Sequence, residues 1–276
     1  VNYRNHRKLS VIDDKTGFIG GMNIAIRYIK GSKGMKWRDT HLMVRGNIVY
    51  AIQKAFLVDW YFVDRTLITY RYYYPTPSSN FSNICLAQVV TSSPIALWPD
   101  IMQGYVRILL EAKKYVYIES PYFLPTDQIL FAMRTAALTG VDVRLIIPKK
   151  TDSKIVQWAS RSYISEILEA GIRVYLYTPG FNHTKLLVCD DIISTCGSTN
   201  VDFRSFENNF ESNIFFYQQE MALRMKEVFL NDMELCEEKN IAFNYGQNTT
   251  VKGYRKINLF FIRLWESLTR LLSPLL

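Results

Sequence analysis

Residues 5–14 read NHRKLSVIDD, and residues 182–191 read NHTKLLVCDD. The chain has only three histidines, and two of them sit at the same place in the same pattern. Aligned on those histidines, His6, Lys8 and Asp13 fall opposite His183, Lys185 and Asp190. The register continues downstream, where GGMN at 20–23 faces GSTN at 197–200, so that Gly21 matches Ser198 and Asn23 matches Asn200. A single HxK string occurs freely and normally marks a core histidine beside a solvated lysine. Agreement along both full stretches is far more specific.

Residues two apart in an extended strand face the same side, which predicts that His6 points with Lys8 and His183 with Lys185. Paired imidazoles, ammonium groups and amides, with no cluster of carboxylates, suit a phosphodiester. Such a diester carries one negative charge and passes through a more highly charged transition state, which Lys8 and Lys185 stabilise without a metal or cofactor. One charge pair at about 4 Å, with an effective dielectric near 20, is worth roughly 4 kcal/mol before desolvation. One histidine attacks phosphorus to form a phosphohistidine, and the other protonates the leaving alkoxide and then serves as base. Asn23 and Asn200 offer amide donors, while the small Gly21 and Ser198 let a ligand approach the backbone.

A histidine in either role needs its second ring nitrogen held by a carboxylate. Asp39 in WRDTH and Glu211 in NNFESN lie at comparable distances downstream. The expected pairs are Asp39 with His6 and Glu211 with His183. Asp13 and Asp190 close the catalytic pattern at the strand ends, where a carboxylate suits bonding to loop backbone. His41 lacks a lysine at the same offset and reads as structural or site-lining.

The Pro-, Ser- and Asn-rich run at 75–83 breaks every periodicity and reads as a linker between segments 1–74 and 84–276. Beyond it, apolar bursts alternate with helical patterns near Asp100–Lys113, Thr126–Thr139 and Asp152–Ala170, which predicts an α/β layer with a mostly parallel sheet. TKLLVCD and DIISTCG then read as neighbouring strands, and a longer amphipathic helix is expected near Gln218–Glu238. About a hundred residues of strand and helix precede the second pattern, whereas only VNYR precedes the first. Read as repeats, the first is truncated, and the chain is expected to be part of a longer protein.

The 276 residues are 49% apolar and 21% charged, with a net charge of +8 that favours anionic partners. Cys85, Cys189, Cys196 and Cys236 form no CxxC pair and have no histidine at zinc-ligand spacing. The apolar runs stay shorter than the ~18 residues that mark a spanning helix.

The doubled HxKxxxxD, each followed by GGxN or GSxN, resembles the phospholipase D superfamily. With WRDTHLMVRG, SPYFLPTD, STCGSTNVDFRSF and NFESN, the chain is similar to bacterial cardiolipin synthases over nearly its whole length. The resemblance implies a pseudo-twofold pair of α/β repeats, each giving one His and one Lys to a single site. It implies a phosphatidyltransferase in which His6 takes a phosphatidyl group from phosphatidylglycerol, glycerol leaves, and a second phosphatidylglycerol accepts the group to give cardiolipin. His183 is then acid and base. It further implies anionic membrane lipids as partners and the bacterial inner membrane as location, through amino-terminal helices to which nothing in this chain corresponds. The closing INLFFIRLWESLTRLLSPLL suits either an interfacial helix or one packed on the body. Tyr122 and Phe123 suit either the headgroup entrance or the core.

Two rivals remain. A phosphodiesterase or nuclease would use the same chemistry with water as acceptor, but no dense Lys/Arg tract interleaved with aromatics marks a nucleic-acid track. A non-catalytic scaffold is disfavoured because neither copy has lost a motif residue.

Overall fold

The runs YVYIE, DVRLIIP and RVYLY are rich in β-branched and aromatic residues, and they form the adjacent parallel strands Tyr115–Glu119, Asp142–Pro148 and Arg173–Tyr177. The computed structural model describes residues 3–32, 34–74, 85–239, 264–266, 268–271 and 273–275. The stretch read as a linker, 75–83, lies outside the described residues.

These three strands belong to a nine-stranded mixed sheet. Next to Tyr115–Glu119 the sheet turns antiparallel through Leu186–Cys189, Ile193–Gly197, Asn209–Phe216 and Ala87–Ser92. The parallel character expected from alternating strand and helix holds for the part that helices connect and for the short edge pairing of Arg4–Asn5 with Asn209–Phe216. Leu186–Cys189 and Ile193–Gly197 are joined by a tight turn and run antiparallel, and their further antiparallel neighbours are reached through longer connections. Helices form at Asp100–Glu111, Asp127–Leu138, Lys154–Glu169 and Gln219–Glu234, within a few residues of the sequence expectations. The first three bury Ile101, Leu109, Met133 and Ile164 on one face of the sheet. Gln219–Glu234 lays Met225 and Phe229 on the other face, in a core shared with Ile19, Leu42 and Ile52 of the first segment.

The first pattern builds a separate three-stranded antiparallel sheet of Leu9–Ile12, Thr16–Gly20 and His41–Arg45. The long helix Ile48–Asp64 covers one of its faces, and a Cβ on Gly17 would come within 2.9 Å of Ile52. The second pattern repeats this layout, since Gly20 faces His41 and Gly197 faces Asn213 across corresponding ladders. The two copies differ in cover. Ile12 and Met43 are 53% and 59% exposed, whereas their counterparts Cys189 and Phe215 are 4% and 3% exposed. Local opening is cheapest where few apolar contacts resist it. Amides in Leu9–Gly20 are therefore expected to exchange hydrogen at least about tenfold faster than those in Leu186–Gly197. Equal protection would show that exposure does not govern opening here.

Two short parallel ladders stitch the segments together. Arg4–Asn5 adds to the edge of Asn209–Phe216, with Arg4 opposite Asn209 and Asn5 opposite Phe210. Gly180–Asn182 pairs with Lys36–Arg38, with Asn182 opposite Arg38. At the C-terminal end, Arg270 reaches Glu166 at 2.9 Å and Ser273 reaches Tyr163 at 3.0 Å, so one side of the described part packs on the helix Lys154–Glu169. Leu264, Trp265, Leu268 and Leu271 face outward. Residues 257–263 of the same run lie outside the described residues.

Candidate active site

Each HxK tripeptide sits in a break between two strands. Arg4–Asn5 ends and Leu9–Ile12 begins around His6–Lys8, and Gly180–Asn182 ends and Leu186–Cys189 begins around His183–Lys185. The expected single continuous strand is thus a switch point, where the chain leaves a ladder with the other segment and enters its own sheet. Histidine and lysine share a side in the second copy, where Lys185 Nζ lies 3.0 Å from His183 Nδ1 and donates to the His183 carbonyl at 2.6 Å; in the first, Lys8 Nζ donates to the His6 carbonyl.

The ladders decide the carboxylate partners. Continuing the Arg4–Asn209 register by one step beyond Asn5 sets His6 opposite Glu211, and the His6 amide donates to the Phe210 carbonyl at 2.9 Å. His6 Nδ1 lies 2.8 Å from Glu211 Oε1. Continuing the Asn182–Arg38 register sets His183 opposite Asp39, and the His183 amide donates to the Arg38 carbonyl at 2.7 Å. His183 Nδ1 lies 2.8 Å from Asp39 Oδ2. The pairs expected from sequence, Asp39 with His6 and Glu211 with His183, are therefore exchanged. Asp39 and Glu211 do hold histidines, but each holds the histidine of the other segment. Among the described residues none takes up either Nε2, which leaves that nitrogen for chemistry.

Gly21 and Ser198 serve the carboxylates, where the sequence reading has them admitting a ligand. A Cβ on Gly21 would lie 2.3 Å from Asp39 Oδ1. The fully buried Ser198 instead donates its hydroxyl to Glu211 Oε2, and Asn209 Nδ2 donates to Glu211 Oε1 at 3.1 Å. Asn200 spends one amide donor on Asp202 at 3.0 Å, and Asn23 sits beside the Tyr28 hydroxyl.

Asp13 and Asp190 are turn residues, which corrects their place in the catalytic set. Both, with Asp14 and Asp191, adopt left-handed backbone at φ 51–58°, a conformation that Asp tolerates better than most residues. Asp190 accepts from the amides of Lys113, Lys114 and Tyr115 at 2.7, 2.9 and 2.8 Å. Asp13 is exposed. At about 3.3 Å per residue, the intervening strand carries each of them well away from its histidine. His41 is site-lining: its Nδ1 approaches the Met22 amide at 3.4 Å, and burial lowers its proton affinity.

Four aromatic residues surround His183, among them Phe181 with its ring centre 5.6 Å from the imidazole. Tyr28 was not singled out by sequence, yet its hydroxyl is 3.0 Å from His183 Nδ1 and 3.1 Å from Asp39 Oδ2. Trp37 packs with its ring centre 5.4 Å from the imidazole. Tyr122 lies at the site, 6.5 Å from His183 between ring centres, whereas Phe123 is fully buried in the core. Behind them, Asn182 donates to the buried Glu119 at 2.8 Å, and Arg38 pairs with Asp232 at 3.0 Å. Burial, then the neighbouring Asp232, raises Glu119 well above the usual carboxylate range.

The electrostatics follow from burial. Burial, then the Lys185 charge, pulls His183 down to about 3 against the hold of Asp39. Burial brings Lys185 to about 8 and Lys8 to about 7, although Asp39 and Glu211 act to keep both charged. The unfolded chain keeps lysine protons to about pH 10. The unfolded state therefore binds more protons between the folded and unfolded values, and the lysines' cost to stability fades as pH rises through that window. Anion binding has the opposite sense, because it needs the charged lysines. Affinity for diethyl phosphate, which does not titrate near neutrality, is expected to fall about tenfold or more between pH 6.5 and 9 as measured by phosphorus NMR. A flat profile would mean that the lysines stay charged throughout.

Residues 105–233 match the family model described as cardiolipin synthase, PLD-like domain. The chain is 38% identical over 281 residues to a cardiolipin synthase of Clostridium perfringens and 42% identical over 278 residues to one of Listeria monocytogenes. Both alignments cover all of this chain but 57% and 55% of those proteins, so the chain spans about half the length of the curated relatives it matches. Among solved structures, phosphatidylserine synthase of Haemophilus influenzae shares the fold, with a TM-score of 0.72 over 99% of this chain and 71% of that one at 16% identity.

Proposed function

We propose that this chain, similar over its whole length to phospholipase D-like cardiolipin synthases, uses its paired histidines to transfer a phosphatidyl group between two molecules of phosphatidylglycerol. The observation that carries this reading is the pair of crossed contacts at 2.8 Å, His6 with Glu211 and His183 with Asp39, beside the half-buried Lys8 and the fully buried Lys185.

In the proposed reaction His6 Nε2 attacks phosphorus while the bond to the glycerol oxygen breaks. His183 gives its Nε2 proton to that oxygen, and glycerol leaves. Glu211 accepts the hydrogen bond from His6 Nδ1–H and balances the charge that grows on the ring. His183 then takes the proton from a hydroxyl of the second phosphatidylglycerol, whose oxygen attacks phosphorus as the bond to His6 Nε2 breaks, yielding cardiolipin. Burial holds His183 neutral near pH 7. A bound phosphodiester adds a negative charge beside Lys8, Lys185 and His183 and raises their proton affinity, which arms His183 as an acid. Lys8 and Lys185 stabilise the charge that develops on the equatorial oxygens.

The substrate assigns the enzyme to a bilayer surface, and the bacterial cytoplasmic membrane is the proposed location. No described helix is long and apolar enough to cross a membrane. The test is incubation with labelled phosphatidylglycerol vesicles and, separately, with labelled single-stranded DNA. Cardiolipin and free glycerol are expected in equal amounts from the first, in the presence or absence of EDTA, because lysines supply the charge stabilisation. Phosphatidic acid alone, or cleaved DNA, would replace transfer by hydrolysis. Loss of turnover in EDTA with recovery on adding a divalent ion would overturn the metal-free mechanism.

A further inference from the structure

The two copies of the pattern support their histidines unequally. His6 is held by Glu211, itself braced by Ser198 and Asn209, and its side chain is 27% exposed. The His183 side chain is 6% exposed and rests in a three-member chain, Tyr28 hydroxyl to Asp39 to imidazole. Tyr28 belongs to the short helix Arg27–Lys30 that follows GGMN, and the matching position after GSTN is Ser205. Ser205 gives its amide to Asp202 at 2.6 Å and does not reach His6. Tyr28 is held by packing, with its ring 5.3 Å from Trp37, over whose ring the Arg27 guanidinium sits at 4.6 Å. Burial, then Asp39, keeps its hydroxyl protonated, so towards Asp39 it is a donor.

We propose that Tyr28 is a positioning residue that sets the proton affinity of His183 through Asp39, and thereby fits the second histidine, and not the first, for acid–base work. A carboxylate that accepts a hydrogen bond from a phenol attracts the imidazole proton less strongly than one without that donor. The phenol also fixes which Asp39 oxygen faces Nδ1, and with it the ring plane that aims Nε2. The division of labour invoked here rests on the proposed transfer reaction, but the influence of Tyr28 on His183 does not.

Tyr28→Phe removes one oxygen and retains the ring against Trp37. With only three histidines in the chain, nitrogen-15 histidine NMR resolves each imidazole and reads tautomer and protonation without any turnover. The His183 titration is expected to move upward in Tyr28→Phe while that of His41 stays in place. On bis(p-nitrophenyl) phosphate, kcat is expected to fall about tenfold with KM within about twofold, and the pH–rate limb assigned to His183 to shift in the same direction. A wild-type chain that turns over no phosphodiester would sink the transfer reaction and leave the NMR test intact. An unmoved His183 titration, or loss of the folded state in Tyr28→Phe, would make Tyr28 a packing residue and overturn the proposal.

Discussion

His6→Ala and His183→Ala are each expected to lower phosphatidyl transfer by about a thousandfold or more, because nucleophile and acid act as one unit and the loss of either stops the cycle. The two variants should part company on a substrate with a good leaving group. A p-nitrophenyl diester needs no proton at its departing oxygen, so His183→Ala should still accumulate a phosphoryl adduct on His6, and it should then stall for lack of a base. His6→Ala should form none. Mass spectrometry of the trapped chain decides the matter: an adduct on His183 in the wild type would reverse the two roles.

Glu211→Gln should follow closely, with a loss of about 10²–10⁴ in turnover, since an amide opposite Nδ1 favours the wrong imidazole tautomer. The crossed pairing makes this variant diagnostic. Glu211 touches His6 at 2.8 Å and Asp39 touches His183 at 2.8 Å. With the p-nitrophenyl diester, Glu211→Gln should therefore suppress formation of the adduct, and Asp39→Asn should spare its formation and slow its breakdown. Rapid-quench measurements separate the two phases. The reverse allocation would mean that each carboxylate serves the histidine of its own segment in the working enzyme. The effect on folding should be smaller for Asp39→Asn than for Glu211→Gln. Glu211 is fully buried and accepts from both Ser198 and Asn209, and a glutamine amide pointed at either donor would leave it unpaired.

What the chain's sequence determined by itself is whatever rests on local pattern. The identical spacing of His6, Lys8 and Asn23 with His183, Lys185 and Asn200 is visible without coordinates, and so are the apolar runs that become Tyr115–Glu119, Asp142–Pro148 and Arg173–Tyr177. Those signals survive because side-chain chemistry and strand periodicity act over a few residues. Asp39 and Glu211 were legible as histidine partners for the same reason, one carboxylate lying downstream of each motif.

Only the tertiary structure decided which carboxylate meets which histidine. The answer depends on two ladders, Arg4–Asn5 on Asn209–Phe216 and Gly180–Asn182 on Lys36–Arg38, that pair residues far apart in the chain. Strands of two or three residues are too short to carry a periodic signal, and their partners are chosen by how the two segments pack. Tyr28 was invisible for the same reason, because it reaches His183 across that second ladder. The depressed proton affinities of Lys8, Lys185 and His183 are likewise a consequence of packing. Burial is their largest cause, and burial is a property of the assembled core and not of any stretch of sequence.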